Sequence, residues 1–491
     1  MPTTRTTSLP IIRRPEGLDA DDRRVITRYL QFRPARVRSI LRRILSLSDE
    51  QVSRLLEATI DDFARRHRQI RTAFLDNYGE VARLIGPSVT LSEERRLLIG
   101  AYFTLEYSFE SAALFNPSIV PHPDQEGLPA GSVRFLMSLR ATGEGHISSI
   151  VFRRGVLGER GDITFDPPPR FAYSARPSTD HVLEKRWFVR RLIEMGEYEP
   201  PADLLLDALP DSFRITELEA AAEQIRRRPQ TPGSFRAVAA DMIWLAKANY
   251  ELVFPADCLP AETVIYPATE SERRGMEDLR LTRFVDDAGQ GHYFGTYTAF
   301  NGARARPMML DTADFTTFRI RTVGGRYARD KGMALFPRKV NGWYAAVSRH
   351  DGEKLYLLTS DNLYFWNQSQ LLQAPIEPWE IVQLGNCGSP LETDAGWILL
   401  THGVGAVRRY CIGAMLLDRN DPSRVLGRLR RPLLIPSAEE REGYVPNVVY
   451  SCGSMIWRDQ IVIPYAMSDS ATRFATVSVQ GLLAELRDAG P

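Results

Sequence analysis

Cysteine is scarce in this 491-residue chain, with only Cys258, Cys387, Cys411 and Cys452. No two of them form a C-x-x-C pair, so the sequence has no zinc pattern, and the low density argues against a disulfide framework. Long apolar runs are missing as well. None reaches the ~20 residues a membrane helix needs, and Met1–Gly17 lacks the apolar core of a secretory signal. The expected compartment is therefore the cytoplasm, with no membrane partner. Neither charge sign dominates. The 62 Lys and Arg against 61 Asp and Glu leave a formal net charge of +1, which exerts little pull on nucleic acid. One stretch, Arg33–Arg43, is locally basic; a solvated helix face is the plain reading and a membrane or nucleic-acid patch the sharper one. The seven histidines form no H-E-x-x-H, and G-x-S-x-G, Walker and G-x-G-x-x-G motifs are all lacking. Covalent serine chemistry and nucleotide binding have no basis here, and neither a metal nor an organic cofactor is expected.

What is present is a globular composition, 44% hydrophobic and 25% charged. Residues 1–17 read as a disordered lead. Residues 18–113 predict an N-terminal helical region. Ser48 with Gln51 has the capping-box pattern, and Val52, Leu55, Leu56, Ile60 and Phe63 follow at helical spacing. A second start at Ser92-Glu93-Glu94 leads into Leu97–Phe109, with Leu97, Leu98 and Tyr102 on its stripe. Such stripes must be buried, either on the rest of the chain or across a homo-oligomer interface.

Residues 114–480 predict a mainly β domain, interrupted over about 180–252 by helices at Val182–Glu194, Ile215–Arg227 and Phe235–Leu252. Residues 481–491 are left as a C-terminal tail. Short strands such as Val133–Arg140, Ile147–Arg153, His292–Phe300, Trp343–Ser348, Lys354–Thr359, Trp397–His402, Tyr410–Leu417 and Gln460–Pro464 are separated by turns such as Asn341-Gly342, Asp351-Gly352 and Ala395-Gly396. This pattern implies a sandwich, a barrel or a propeller. An internal echo favours the propeller. Leu310–Phe318 resembles Leu358–Phe365, and Asp314 and Asp361 are 361 − 314 = 47 positions apart, a separation that suits a propeller blade of about four strands.

Polar residues stand at the ends of these apolar strands: Glu277-Asp278-Leu279-Arg280, Tyr297, Arg304, Arg306, Lys331, Arg349-His350 and His402. Strand ends of a propeller converge on its central channel. A carboxylate there can serve as a general acid, and cations there can hold an anion. Taken singly, each is as readily a solvated or ion-paired residue, and Asp278 a simple turn residue.

Together these stretches resemble glycoside hydrolase family 130, the β-mannoside phosphorylases and β-mannosidases. The resemblance rests on Phe115–Val120, Gly275–Arg280, Tyr297–Phe300, Lys331–Pro337, Asn341-Gly342, Ser348-Arg349, Gly388–Thr393, Gly396-Trp397, His402–Val404, Ile412–Asp418 and Pro446–Val449, in the family's order. It implies a five-bladed β-propeller with its site in the central cavity. It also implies that Asp278 is the sole catalytic carboxylate, acting as general acid. Leu279 departs from the family's usual proline. The phosphate candidates are Arg306, Lys331, Arg349 and His402, with Arg304 a substitute for Arg306. The sugar-pocket candidates are Asn116, Arg140, Tyr297, Arg280 and Asp469.

An inverting glycosidase needs an acid and a base, whereas phosphate is already an anionic nucleophile. The implied reaction is inverting phosphorolysis of a β-mannoside (mannobiose, manno-oligosaccharide or mannosyl-glucose type) to α-mannose 1-phosphate, with inorganic phosphate as co-substrate. The proton would pass from Asp278 through a sugar hydroxyl to the glycosidic oxygen. A β-mannosidase using water stays open, with Glu144 and Glu392 as carboxylates in candidate cavity segments. So does a non-catalytic glycan- or protein-binding propeller, since fold does not fix function.

Overall fold

A computed structural model describes residues 9–85, 90–178 and 182–490. The first eight residues of the expected lead, the expected start of the insertion at residue 180 and the final residue of the tail lie outside the described residues.

The fold is mainly β and is built as a succession of antiparallel meanders. The first comprises Ala113–Pro121, Val133–Thr142, Ser148–Leu157 and Ile163–Phe165. The second comprises Gly275–Val285, Gly291–Phe300, Ala305–Thr312 and Thr317–Thr322, with Tyr250–Val253 on its edge. A single parallel pairing, Gly275 with Ser148, joins these two into one ten-stranded sheet. The third runs Ala334–Leu335, Tyr344–Ser348, Leu355–Ser360 and Gln368–Gln373. The fourth runs Gln383–Asn386, Gly396–Val404, Tyr410–Leu417 and Val425–Arg428. The fifth contains Val449–Tyr450, Met455–Trp457, Gln460–Met467 and Ala471–Ser478. No sheet among the described residues closes on itself.

Side chains rather than hydrogen bonds connect the meanders. Successive strand residues point to opposite faces, and both faces here are covered. In Gly396–Val404, Trp397 and Leu399 pack with Val347 and Leu357 of the third meander, while Ile398 and Leu400 pack with Ile463 and Ala475 of the fifth. Phe284 and Met309 meet Ala346 and Leu358, linking second to third. Leu136 and Phe152 meet Leu281 and Leu310, linking first to second. Phe115 meets Val448 and Ala466, which brings the fifth meander back onto the first. Burial on both faces explains why these strands read as continuous apolar runs. The sequence echo also has a structural counterpart: Leu310–Phe318 and Leu358–Phe365 each span the connection between the third and fourth strands of adjacent meanders.

Helices Pro34–Leu45, Asp49–Phe63, Ile70–Ala82 and Glu93–Tyr102 form a core of their own. Ser48 and Gln51 make the capping box, and Ser92 accepts from the Arg95 N–H. The buried stripe is narrower than the spacing predicts: Val52 and Leu56 are buried, whereas Leu55, Phe63 and Tyr102 are exposed. Close helix approach explains one position. A Cβ on Gly100 would lie 1.7 Å from the carbonyl oxygen of Phe74 on the neighbouring helix. A buried ion cluster pins this region to the β domain: Glu110 accepts from Arg24 at 3.1 Å and from Arg153 at 2.8 Å.

Three expectations are corrected. Ile12–Leu18, part of the expected lead, is an edge strand on Ala471–Ser478 with a register shift between Arg14 and Gly17. Its partner supplies the hydrogen bonds, so its own mixed sequence gives no strand signal, and Pro15 at the shift is tolerated on an edge. The helix expected to reach Leu252 stops at Ala248, because Tyr250–Val253 pairs with Thr317–Ile320 instead. The tail holds a helix, Val479–Ala489, capped by Ser478, with Leu482, Leu483 and Leu486 buried beneath the fourth and fifth meanders. The insertion contains a further short helix, Pro201–Leu206, and packs around its own core of Phe188, Leu192, Phe213 and Leu218. No helix among the described residues is long and apolar enough to cross a membrane.

Candidate active site

Two matching bulges build the centre of the site. In Ala113–Pro121, Phe115 pairs with Arg140 and Ser118 with Ser138, so Asn116 and Pro117 together face a single residue. In Gly275–Val285, Glu277 pairs with Thr298 and Arg280 with Thr296, so Asp278 and Leu279 do the same. The first bulge residue is left-handed in both, with φ 50° at Asn116 and 58° at Asp278. Asn and Asp are among the few non-glycine residues that tolerate this region, and such outliers gather at functional sites. The Ser118 hydroxyl accepts from the Leu281 N–H at 3.1 Å and ties the two strands together.

The bulges aim Asn116 and Asp278 at each other. Asn116 Nδ2 donates to Asp278 Oδ1 at 2.7 Å, and Arg140 Nη1 donates to the same oxygen at 3.3 Å. Arg140 also donates to Glu277 Oε1 at 3.0 Å, and Lys331 Nζ lies 2.5 Å from Glu277 Oε2. Glu277 is thus held between two cations. The Asp278 side chain is 17% exposed. Burial works against its charge, but Arg140, Lys331, Arg280 and the Asn116 amide outweigh that and hold its carboxyl below the ordinary aspartate range.

Asn386 connects the remaining cations. Its side-chain oxygen accepts from Arg280 at 2.9 Å, its amide donates to the Gly332 carbonyl at 2.6 Å, and its backbone carbonyl meets His402 Nδ1 at 3.0 Å. Arg280 is buried and also donates to the Tyr450 hydroxyl. A carbonyl only accepts, so the His402 proton sits on Nδ1, leaving Nε2 to accept from Arg349 at 3.3 Å and from Gln383 at 3.0 Å. Burial, then the charges of Arg349 and Arg280, keep His402 neutral by pushing its pKa well below the usual value. Arg349 has no carboxylate partner among the described residues, and its buried Nε makes no hydrogen bond.

Asp469, left-handed at φ 51° in the turn after Gln460–Met467, is the third carboxyl of the cluster, after Asp278 and Glu277. Burial and the charge of Asp278 push its pKa up to about 6, against the pull of Arg140 and Arg408. A raised folded-state pKa means that the folded protein holds this proton more tightly than the unfolded chain does. The stabilisation is complete below about pH 4 and is lost as pH rises through about 6. Asp469→Asn keeps the left-handed turn. The stability of the parent relative to this variant should therefore fall by about 1–3 kcal/mol between those limits and then level off. Urea unfolding across that range measures it, and a flat difference would show an ordinary Asp469.

The other sequence candidates lie elsewhere. Arg306 pairs with Glu197 of the insertion at 2.7 Å and stacks its guanidinium 4.2 Å from the Trp244 ring centroid. Arg304 is exposed beside it. The Tyr297 hydroxyl is engaged inward, donating to the buried Glu272 at 2.5 Å. Glu392 is bound by Arg338 and Arg419, and Glu144 is exposed on a hairpin turn. Asn386, Tyr450 and Gln383 escaped sequence reasoning. The one available signal was the position of Asn386 two residues before the Gly388–Thr393 motif.

A carboxyl in a left-handed bulge, ringed by cations on a mainly β scaffold, is an arrangement that can exchange a proton and hold an anion. Comparison with known proteins supplies the family. A family model described as beta-1,4-mannooligosaccharide phosphorylase matches residues 257–487. The 1,2-beta-oligomannan phosphorylase of Thermoanaerobacter sp. is 33% identical over 219 residues, covering 44% of this chain and 72% of that protein. The beta-1,2-mannobiose phosphorylase of Listeria innocua serovar 6a is 27% identical over 286 residues, covering 56% and 78%. Among solved structures, the beta-1,2-mannobiose phosphorylase from Listeria innocua in its beta-1,2-mannobiose complex aligns with a TM-score of 0.46 at 19% identity, covering 77% of this chain and 92% of that one. The chain belongs to glycoside hydrolase family 130. It is an enzyme, a glycoside phosphorylase or a related glycoside hydrolase.

Proposed function

We propose that the protein catalyses inverting phosphorolysis of a β-mannoside, and that its meanders are the blades of a five-bladed propeller with Asp278 at the central cavity. The observation that carries the reading is Arg349, a cation in the Asp278 cluster with no carboxylate partner among the described residues. A guanidinium backed by a neutral His402 leaves N–H donors for a phosphate, which a hydrolase does not need. The phosphorylase names of the relatives agree with this.

In the proposed reaction, Asp278 gives its proton through a sugar hydroxyl to the glycosidic oxygen. The bond from C1 to that oxygen breaks and the acceptor sugar leaves as an alcohol. A phosphate oxygen attacks C1 from the opposite face, giving α-mannose 1-phosphate. The free site holds Asp278 ionised, because Arg140, Lys331 and Arg280 act on it. Phosphate bound beside Lys331 and Arg349 would offset part of that positive field, raising the Asp278 pKa when a proton is needed. Asn116, Arg140 and Asp469 then surround the mannosyl unit. Only about 10 Å³ is free on the side of Asp278 lined by Thr296, Pro307 and Met333, room for roughly one water.

The test is incubation with β-1,2-mannobiose, β-1,4-mannobiose and mannosyl-glucose, with and without phosphate. Phosphate-dependent formation of mannose 1-phosphate is expected from at least one of them. Release of free mannose at a rate indifferent to phosphate would sink the reading in favour of hydrolysis.

A further inference from the structure

In four meanders the first residue of the opening strand pairs with the last residue before a turn: Ala113 with Thr142, Gly275 with Phe300, Gln383 with Val404 and Val449 with Met467. The bulge residues Asn116 and Asp278 stand three positions into their strands, so the bulges and these turns share one face of the fold. Asp469 joins the cluster from the turn at 468–470. The turns at 143–147 and 405–409, from the meanders on either side, have one shape. Gly143 (φ −111°, ψ −157°) matches Gly405 (φ −105°, ψ −161°), and two residues on each turn carries a left-handed pair, Gly145-His146 in one and Val407-Arg408 in the other. A left-handed valine is strained, and strain of this kind persists where neighbours hold it and gathers at functional sites.

The turn at 143–147 is fixed from two directions. The Tyr107 hydroxyl, from the N-terminal region, donates to the Glu144 carbonyl at 2.7 Å, and a Cβ on Gly143 would lie 2.2 Å from the Ser108 carbonyl oxygen. From the other direction the Tyr444 ring stacks on His146, with centroids 5.5 Å and planes 26° apart, and the Tyr444 hydroxyl lies 3.3 Å from His146 Nδ1. Tyr444 is in turn bound to the Asp469 turn: its N–H donates to Ser470 Oγ at 2.7 Å, and the Val445 N–H donates to the Ser468 carbonyl at 3.0 Å. The Ser470 carbonyl accepts from the Leu114 N–H at 3.0 Å, two residues before Asn116. Hydrogen bonds therefore run from the Asn116 strand through the Asp469 turn to the stacked pair. The pair itself is open to solvent, with Tyr444 55% exposed. A tyrosine held at backbone and hydroxyl, yet bare on its ring beside a polar site, suits a pyranose, which offers an apolar C–H face and a rim of hydroxyls.

We propose that Tyr444 and His146 form a stacking platform for the second sugar beyond the scissile bond, so that the enzyme prefers a β-mannoside chain of three or more units to a disaccharide. The inference rests on the phosphorolysis reading and names the substrate length of that same site. The spacing sets the unit. Arg140 touches Asp278, and Thr142 lies two residues, about 7 Å, further along the strand, with His146 on the turn beyond it. The platform thus stands past the mannosyl unit at Asp278, at the level of later units. Tyr107 and Ser108 give the N-terminal region a part in holding it.

Initial rates of phosphorolysis on mannobiose and mannotriose, in the β-1,2 and β-1,4 series, test the proposal. For the linkage that is cleaved, the parent kcat/KM should be about fivefold or more higher on the trisaccharide. Tyr444→Ala should bring that ratio close to one with the KM for phosphate unmoved, whereas Tyr444→Phe keeps the ring and most of the preference. His146→Asn keeps the left-handed turn and removes the partner ring, so it tests the platform even if Tyr444→Ala disturbs folding; it too should lower the ratio. Equal kcat/KM on the two lengths in the parent overturns the proposal alone, as does a ratio unchanged in the variants. Equal losses on both lengths overturn it by making Tyr444 a structural residue. Cleavage of mannosyl-glucose alone overturns the proposal and leaves the phosphorolysis reading standing. If no sugar releases mannose 1-phosphate, both fall.

Discussion

Asp278→Asn should lower turnover of a β-mannoside with phosphate by about 10²–10⁴-fold, the usual worth of general acid assistance, while the protein stays folded. The substitution is chosen for the backbone. Asp278 sits at φ 58°, and Asn is one of the residues that accept the left-handed region, so the bulge survives. The amide oxygen can still accept from Asn116 and Arg140, which now meet at Oδ1. Only the transferable proton and the negative charge are lost. The loss should appear in kcat, with a thermal midpoint near that of the parent. A variant retaining more than about a tenth of the parent rate would remove Asp278 from the acid role. A variant that fails to fold would be resolved by Asp278→Glu, which keeps a carboxyl and should show impaired but measurable turnover.

How far the site can be read from the sequence depends on the range of the interaction. Helix starts were legible because caps are local: Ser48 and Ser92 each bond a backbone group three residues away. Strand positions were legible in outline because two-sided burial produces apolar runs. The bulges were not, since a bulge is defined by its partner strand. Asn116-Pro117 and Asp278-Leu279 look unrelated in the sequence, yet occupy equivalent positions in adjacent meanders. The equivalence also bears on Leu279: Pro117 stands at the same step of the other bulge, so either residue fits there. Charge compensation was equally hidden. Arg306 and Arg349 look alike as strand-end arginines, but Glu197, 109 positions from Arg306, pairs with only one of them. The edge strand Ile12–Leu18 was illegible for the same reason, because its hydrogen bonds come from residues more than 450 positions away.

That difference in compensation ranks the phosphate candidates by measurable effect. Arg349→Met should raise the KM for phosphate by about 100-fold, since a bidentate charge-assisted contact is worth roughly two ordinary hydrogen bonds to a charged group. Methionine keeps the unbranched stem and its packing, so a change in phosphate affinity reports the lost guanidinium. The effect should be confined to phosphate, because Arg349 contacts His402 and neither Asp278 nor Asn116. Lys331→Ala should act less on phosphate. Its ammonium is already partly neutralised by Glu277 at 2.5 Å, and its removal leaves that carboxylate with Arg140 alone, so mannoside affinity should suffer too. Arg306→Ala should leave the phosphate KM close to the parent value, because Glu197 balances its charge and Trp244 covers its face. Phosphate saturation curves for the three variants at fixed mannoside give the order directly. Arg349 ahead of Lys331 ahead of Arg306 follows from the ion pairs. A largest effect at Arg306 would mean that phosphate binds beside the insertion, and that Arg349 only orients His402.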